Sequence, residues 1–205
     1  MAKALSADEV ADEILYRAQL LGIGISPLKL QKLLYYVQGH HFATTGETLF
    51  TDTVEAWEHG PAVRGVYHRF KRFSHTLITG SFATLQLPVP ARITIAAVLL
   101  LYGSKHAKAL ETRTHSELPW QEAFNVSKNE PIKLETMRSF FNNSENTSRF
   151  LLARTKCADA SFALELDSDD WNRLNARLAE NKISPALEKL MSTPSVFETG
   201  ELVLS

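Results

Sequence analysis

Ser26-Pro27 followed by Leu30, Leu33, Leu34 and Val37 constrains the fold more than any other stretch of this chain. The spacing i, i+3, i+4, i+7 places all four apolar side chains on one side of a helix. Ser caps a helix well, and Pro suits the first turn, where its missing N–H would have no helical partner anyway. The pattern predicts a helix ending near Gly39, with the chain turning at Thr44-Thr45-Gly46. Leu30, Leu33 and Leu34 are its expected core stripe.

The rest of the chain is punctuated in the same way. Ser6-Ala7-Asp8-Glu9 has capping-box form, and Val10, Ile14, Ala18 and Leu21 follow at helical spacing up to Gly22. Leu49-Phe50-Thr51 and Val54-Glu55-Ala56-Trp57 are β-favouring pieces, which predict a small hairpin or ribbon ended by His59-Gly60-Pro61. Pro61 is expected to open a helix carrying Val63, Val66, Tyr67 and Phe70. After a mixed loop from Ser74, Pro90 opens an apolar helix ending near Gly103. Shorter helices follow over 104–113, 118–124 and 133–142. The polar run Asn142 to Ser148 reads as a linker. The fold class is therefore mainly α with a small β-hairpin or ribbon, a compact helical domain followed by an extended, partly helical tail.

Charge narrows the function. Lys and Arg number 22 against 23 Asp and Glu, a net −1, so the basic excess of a non-specific nucleic-acid binder is missing. The first 142 residues carry fifteen basic against thirteen acidic side chains, and the remainder seven against ten, so the tail is acidic by three. Cys157 stands alone, which fits a reducing compartment. Met1 to Ser6 lacks the apolar stretch of a signal peptide, and the most apolar run, 93–102, is about half of what a bilayer requires. These features predict a cytoplasmic protein with no membrane partner.

No pattern points to catalysis. His40 and His41 are adjacent, and on a helix they diverge by about 100°. His59, His68, His75, His106 and His115 have no ligand spacing, so the histidines read as surface or hydrogen-bonded groups and no metal or cofactor is expected. Gly22-Ile23-Gly24 lacks the third glycine and the preceding strand of a dinucleotide loop. Trp57, beside His59-Gly60-Pro61, and Trp120, after Pro119, read as structural anchors of loops.

Three blocks carry a family resemblance. Ser26 to Tyr36 resembles the opening of the Panacea domain of SocA-like antitoxins, a family of bacterial and phage proteins. Glu55-Ala56-Trp57-Glu58-His59-Gly60-Pro61-Ala62-Val63 resembles its aromatic and Gly-Pro-Val block. Thr114-His115-Ser116 with Pro119-Trp120, then Ile132 before the helix to Phe141, resemble its later part. The blocks span 8–142. The resemblance implies a mainly helical domain without catalytic activity, acting in a toxin–antitoxin pair. On the residues themselves, Leu30, Leu33, Leu34, Trp57, Gly60, Pro61 and Trp120 are structural.

Residues 143–160 are expected to link this domain to a tail, 161–205. Phe162, Leu164 and Leu166 alternate as an extended segment would. Ser168-Asp169-Asp170-Trp171 starts a helix with Trp171, Leu174 and Leu178 on one face, and Ser184-Pro185 starts another carrying Leu187 and Leu190. This arrangement resembles the toxin-neutralising tail of TacA-type antitoxins. It implies, as partner, a GNAT-type acetyltransferase toxin that modifies aminoacyl-tRNA. These eight apolar residues are the expected partner-binding set. The SocA-like resemblance implies an alternative, a proteolytic adaptor that hands a toxin to an ATP-dependent protease and thus also touches a protease or chaperone. A transcriptional regulator is a third class, against which the near-neutral charge argues.

Overall fold

The computed structural model describes residues 5–82 and 87–161. Helix α1, Ala7–Leu20, begins on the expected capping box: the Glu9 amide donates to Ser6 Oγ at 3.2 Å, and the Ser6 amide donates to Glu9 Oε2 at 2.8 Å. Helix α2, Pro27–Thr45, is capped by Ser26 and ends at Gly46, in the left-handed region at φ 78°. There follow β1 (Glu55–Trp57), β2 (Gly60–Ala62), α3 (Arg64–Phe70) with a 3-10 turn over Lys71–Phe73, and α4 (Val89–Tyr102). Then come α5 (Ala107–His115), α6 (Leu118–Val126), β3 (Glu130–Pro131), α7 (Leu134–Phe141) and α8 (Ser144–Ser161). The strands form one antiparallel sheet in the order β2-β1-β3, with Ala56 opposite both Pro61 and Glu130. Among the described residues no helix is long and apolar enough to cross a membrane.

Helix α2 is the axis of the fold. All thirteen residues from Lys29 to His41 are buried, and Leu30, Leu33 and Leu34 are fully so. Helices α1, α4, α5 and α7 and the strand β2 pack around it. Four of its polar side chains, Lys29, Gln31, Lys32 and Gln38, survive burial because each bonds main-chain atoms of a neighbouring segment. Lys29 Nζ donates to the carbonyls of Gly24 (3.1 Å) and Gly103 (2.5 Å), the latter at the end of α4. Gln38 accepts from the Leu49 and Phe50 amides and donates to the Phe50 carbonyl at 2.9 Å, acting as a strand partner for that segment. At Gly39 the ring of Phe141 on α7 occupies the space a Cβ would need, so only glycine allows that approach.

The structure corrects three expectations. First, Leu49-Phe50-Thr51 is not half of a hairpin. Phe50 instead makes a single parallel bridge to Leu5, and β1 pairs with Gly60–Ala62 across the two-residue turn Glu58-His59. Second, Pro61 lies in β2 rather than opening a helix, and α3 starts at Arg64. Third, the expected linker 143–160 is helix across nearly its whole length. Phe150, Ala153 and Cys157 recur at i, i+3, i+7 and are buried in the main core, and α8 packs on α4. The polar run only forms the turn from α7 and the first turn of α8. Burial pushes the Cys157 thiol up to about 11. The tail residues Phe162, Leu164, Leu166, Trp171, Leu174, Leu178, Leu187 and Leu190 lie outside the described residues.

His40 and His41 are both buried. His40 Nε2 shares a hydrogen bond with the Tyr102 hydroxyl (3.1 Å), and its ring stacks on Phe150 at 4.1 Å; His41 Nδ1 meets Thr94 Oγ1 at 3.2 Å. Burial, helped by Arg113, pushes His40 down to about 3; burial, helped by Arg154, pushes His41 down to about 4. The unfolded chain takes up these protons below about pH 6.5, whereas the fold does not. The contribution of these two histidines to stability is therefore whole above that pH and falls on acidification. Between pH 7 and pH 5 each histidine should remove about 2 kcal/mol. Urea denaturation at the two pH values, on the wild type and on His40→Phe and His41→Asn, measures this: each substitution should shrink the acid loss.

Candidate protein-interaction site

The three sequence blocks that resemble one family meet in space. From α2, Lys32 sends its fully buried ammonium beneath the β1–β2 hairpin, donating to the Pro61 carbonyl at 3.0 Å. Beside it Gln31 Oε1 accepts from the Val63 amide at 2.6 Å. Gly60 sits between α2 and α5 at φ 89°, and a Cβ there would stand 2.7 Å from both Lys32 Nζ and Thr114 Oγ1. From α6, Trp120 Nε1 donates to the Trp57 carbonyl at 2.9 Å. One helix, the hairpin and the α5–α6 corner are thus pinned together through main-chain atoms of Trp57, Gly60, Pro61 and Val63.

Electrostatics tighten the junction. Burial pushes Lys32 down to about 7, although the Glu111 charge works in the opposite direction. Burial also pulls on Glu111, but Lys108 and His59 outweigh it and hold its carboxyl below the usual range. Both reach Glu111 from the surface, Lys108 Nζ at 2.8 Å and His59 Nδ1 at 3.0 Å. Deeper in, the Tyr36 hydroxyl donates to Glu117 Oε1 at 3.0 Å, and Arg113 Nε donates to the same atom at 3.2 Å. Burial raises Glu117 despite Arg113. Tyr36 stacks face to face on Tyr102 at 4.0 Å.

Above the junction lies an aromatic surface. Trp57 meets Tyr67 of α3 edge-on at 4.9 Å, and the Arg64 guanidinium lies 5.3 Å over the Trp57 ring. Arg64 also grips Glu55 with two hydrogen bonds, of 3.1 and 2.7 Å. On the other side Trp120 stacks on Phe124 at 4.5 Å and meets the tilted ring of His115 at 4.2 Å. Trp57 and Trp120 are half-buried. Each has its indole N–H bonded, Trp57 to Glu55 and Trp120 to the Trp57 carbonyl. Among the described residues no group of three or more His, Cys, Asp or Glu could hold a metal ion.

Of the expected structural residues, Leu30, Leu33 and Leu34 line the core, while Trp57, Gly60, Pro61 and Trp120 meet at the junction. Lys32, Gln31, Thr114 and Glu111 escaped the sequence reading. Lys32 and Gln31 lie beside the leucine stripe, where a helix packed on one face would be wet, and only burial of α2 on all sides reveals their work.

Two outcomes test the junction. Gly60→Ala should destabilise the protein by about 2 kcal/mol or more, from left-handed strain and overpacking against Lys32 and Thr114. Thermal denaturation measures it. Lys32 loses its proton near pH 7 in the fold but near 10.5 when unfolded, so stability should rise with pH above 7. Between pH 7 and 9 the gain from this group should be about 2 kcal/mol, and Lys32→Met should abolish it.

The sequence profile of the family described as Antitoxin SocA-like, Panacea domain, matches residues 30–88, which hold α2 from Leu30, the hairpin and α3. The chain is 31 % identical over 131 residues to Antitoxin SocA of Caulobacter vibrioides, an alignment covering 58 % of this chain and 70 % of that relative. No solved structure matches it. The profile match takes in α2 from Leu30 and the hairpin, two of the parts that meet at Gly60, and with the relative it shows that the chain belongs to the SocA-like, Panacea-domain antitoxin family.

Proposed function

We propose that this chain is the antitoxin of a type II toxin–antitoxin pair and that it neutralises its toxin by direct contact, without catalysis of its own. The observation that carries the reading is the similarity to Antitoxin SocA over 70 % of that protein. The junction chemistry is in keeping with it: the buried charges Lys29, Lys32, Glu111 and Glu117 each have a partner inside the protein. The toxin is a GNAT-type acetyltransferase acting on aminoacyl-tRNA, as the tail's resemblance implies. The tail supplies the masking contacts, with Trp171 as anchor and Leu174 and Leu178 extending its face.

Purified components without protease decide between masking and delivery. The protein encoded by the adjacent gene is assayed for acetylation of aminoacyl-tRNA with increasing antitoxin. The full chain should inhibit completely, and Trp171→Ala should weaken binding by about 2 kcal/mol or more, as for an interface hot spot. A chain ending at Ser161, which keeps α8, should not inhibit. Equal inhibition by this shortened chain would move the toxin site onto the helical domain. Inhibition that requires an ATP-dependent protease would replace masking with delivery.

A further inference from the structure

Between Glu58 and Glu111 the sequence runs for 52 residues without an Asp or Glu, and it carries seven Arg and Lys. Four of these, Arg64, Arg69, Lys71 and Arg72, fall in α3 and the 3-10 turn that continues it. The segment is amphipathic. Val66 and Phe70 are buried, whereas Arg64, Tyr67, His68 and Lys71, spaced i, i+3, i+4, i+7, are exposed. Arg72 is exposed as well and lies over the Phe73 ring at 5.1 Å. Arg69 points off this face, where α1 neutralises it through Asp8 and Asp12. Among the described residues Lys71 and Arg72 form no ion pair.

Aromatic groups flank these cations. Tyr67 is 39 % exposed and packs on half-buried Trp57, beneath Arg64. Trp, Tyr and Arg are the side chains most enriched among interface hot spots. An aromatic centre with a basic margin is complementary to a protein surface that offers an apolar recess edged by carboxylates. A nucleic-acid strand fits less well. Its phosphates recur every few ångströms, whereas Arg64 is already paired with Glu55 and Arg69 with Asp8 and Asp12.

We infer that the exposed face of α3 and its 3-10 turn, with Trp57 and Tyr67 at its centre and Lys71 and Arg72 at its edge, docks an acidic patch of the cognate toxin. This rests on the antitoxin reading above and adds to it a contact on the helical domain, separate from the tail. The aromatic centre supplies the affinity, and Lys71 and Arg72 steer the approach.

The test uses the full-length chain and the protein encoded by the adjacent gene. Lys71→Glu with Arg72→Glu changes only exposed side chains and should leave the melting temperature unchanged. Binding kinetics at 50 mM and 300 mM salt should show wild-type association slowing markedly with salt. The double variant should associate at least tenfold more slowly at low salt and respond little to it. A milder pair, Lys71→Gln with Arg72→Gln, should lie between. Double-variant binding within twofold of wild type at low salt would overturn the inference and leave the antitoxin reading standing. No binding by the wild type would sink both. A double variant that keeps toxin affinity but loses binding to a 20-nucleotide DNA, single-stranded or duplex, would make the face a nucleic-acid site and also overturn the inference.

Discussion

The ammonium of Lys32 on the carbonyl of Pro61 is the contact on which the positions of the other parts depend. A buried cation is expensive unless paired, and burial has moved its titration to about 7. What it secures is a hairpin with strands of three residues, too short to stand in water by itself. The strands are held from three sides: by α2 through Lys32 and Gln31, by α6 through Trp120, and by β3 through backbone pairing. Gly60 closes the arrangement, since any Cβ there would collide with two of its supports.

The same principle runs along α2. A helix buried over thirteen consecutive residues would ordinarily be apolar on every face. Here Lys29, Gln31, Lys32 and Gln38 are buried and bond main-chain atoms at loops, a helix end and a sheet edge. Gln38 gives residues 49–50 the bonds of a neighbouring strand, and Lys29 holds the end of α4, where unpaired carbonyls and the helix dipole both favour a cation. Irregular loops can therefore lie against the central helix without leaving buried backbone unpaired.

This arrangement explains what the sequence could and could not reveal. Local signals carried through where the chemistry is local: the Ser6 capping box, the Ser26-Pro27 start and the leucine stripe of α2 are all present. The β-favouring residues 49–51 look like a hairpin strand, yet Gln38 rather than a second strand takes the Leu49 and Phe50 amides. Pro61 was read as a helix opener, but β2 lies at the sheet edge, where a residue without an N–H is tolerated. The segment after Asn142 was misjudged because its polar start hides the spacing of Phe150, Ala153 and Cys157. Only a core that already contains His40 gives Phe150 a reason to fold inward. The junction residues were the least legible, because Lys32 and Thr114 lie 82 positions apart and acquire a shared role only through Gly60.

The junction also fixes the outer surface. Gln31 and Lys32 hold Val63 and Pro61, the residues immediately before α3, and Val63 caps that helix without a side chain able to bond its amides. The direction of α3 is thus set from the core by two side chains of α2 rather than by its own sequence. Trp57 is held by its neighbours in the same way: Trp120 takes its carbonyl, Glu55 takes its indole N–H, and Arg64 links Glu55 back to α3. An aromatic ring immobilised before any partner arrives loses little further freedom on binding, which is how a fixed platform favours affinity. A family that keeps this core can thus change the exposed positions of α3 and the hairpin turn, and with them its partner, while Lys32, Gln31 and Gly60 keep both elements in place.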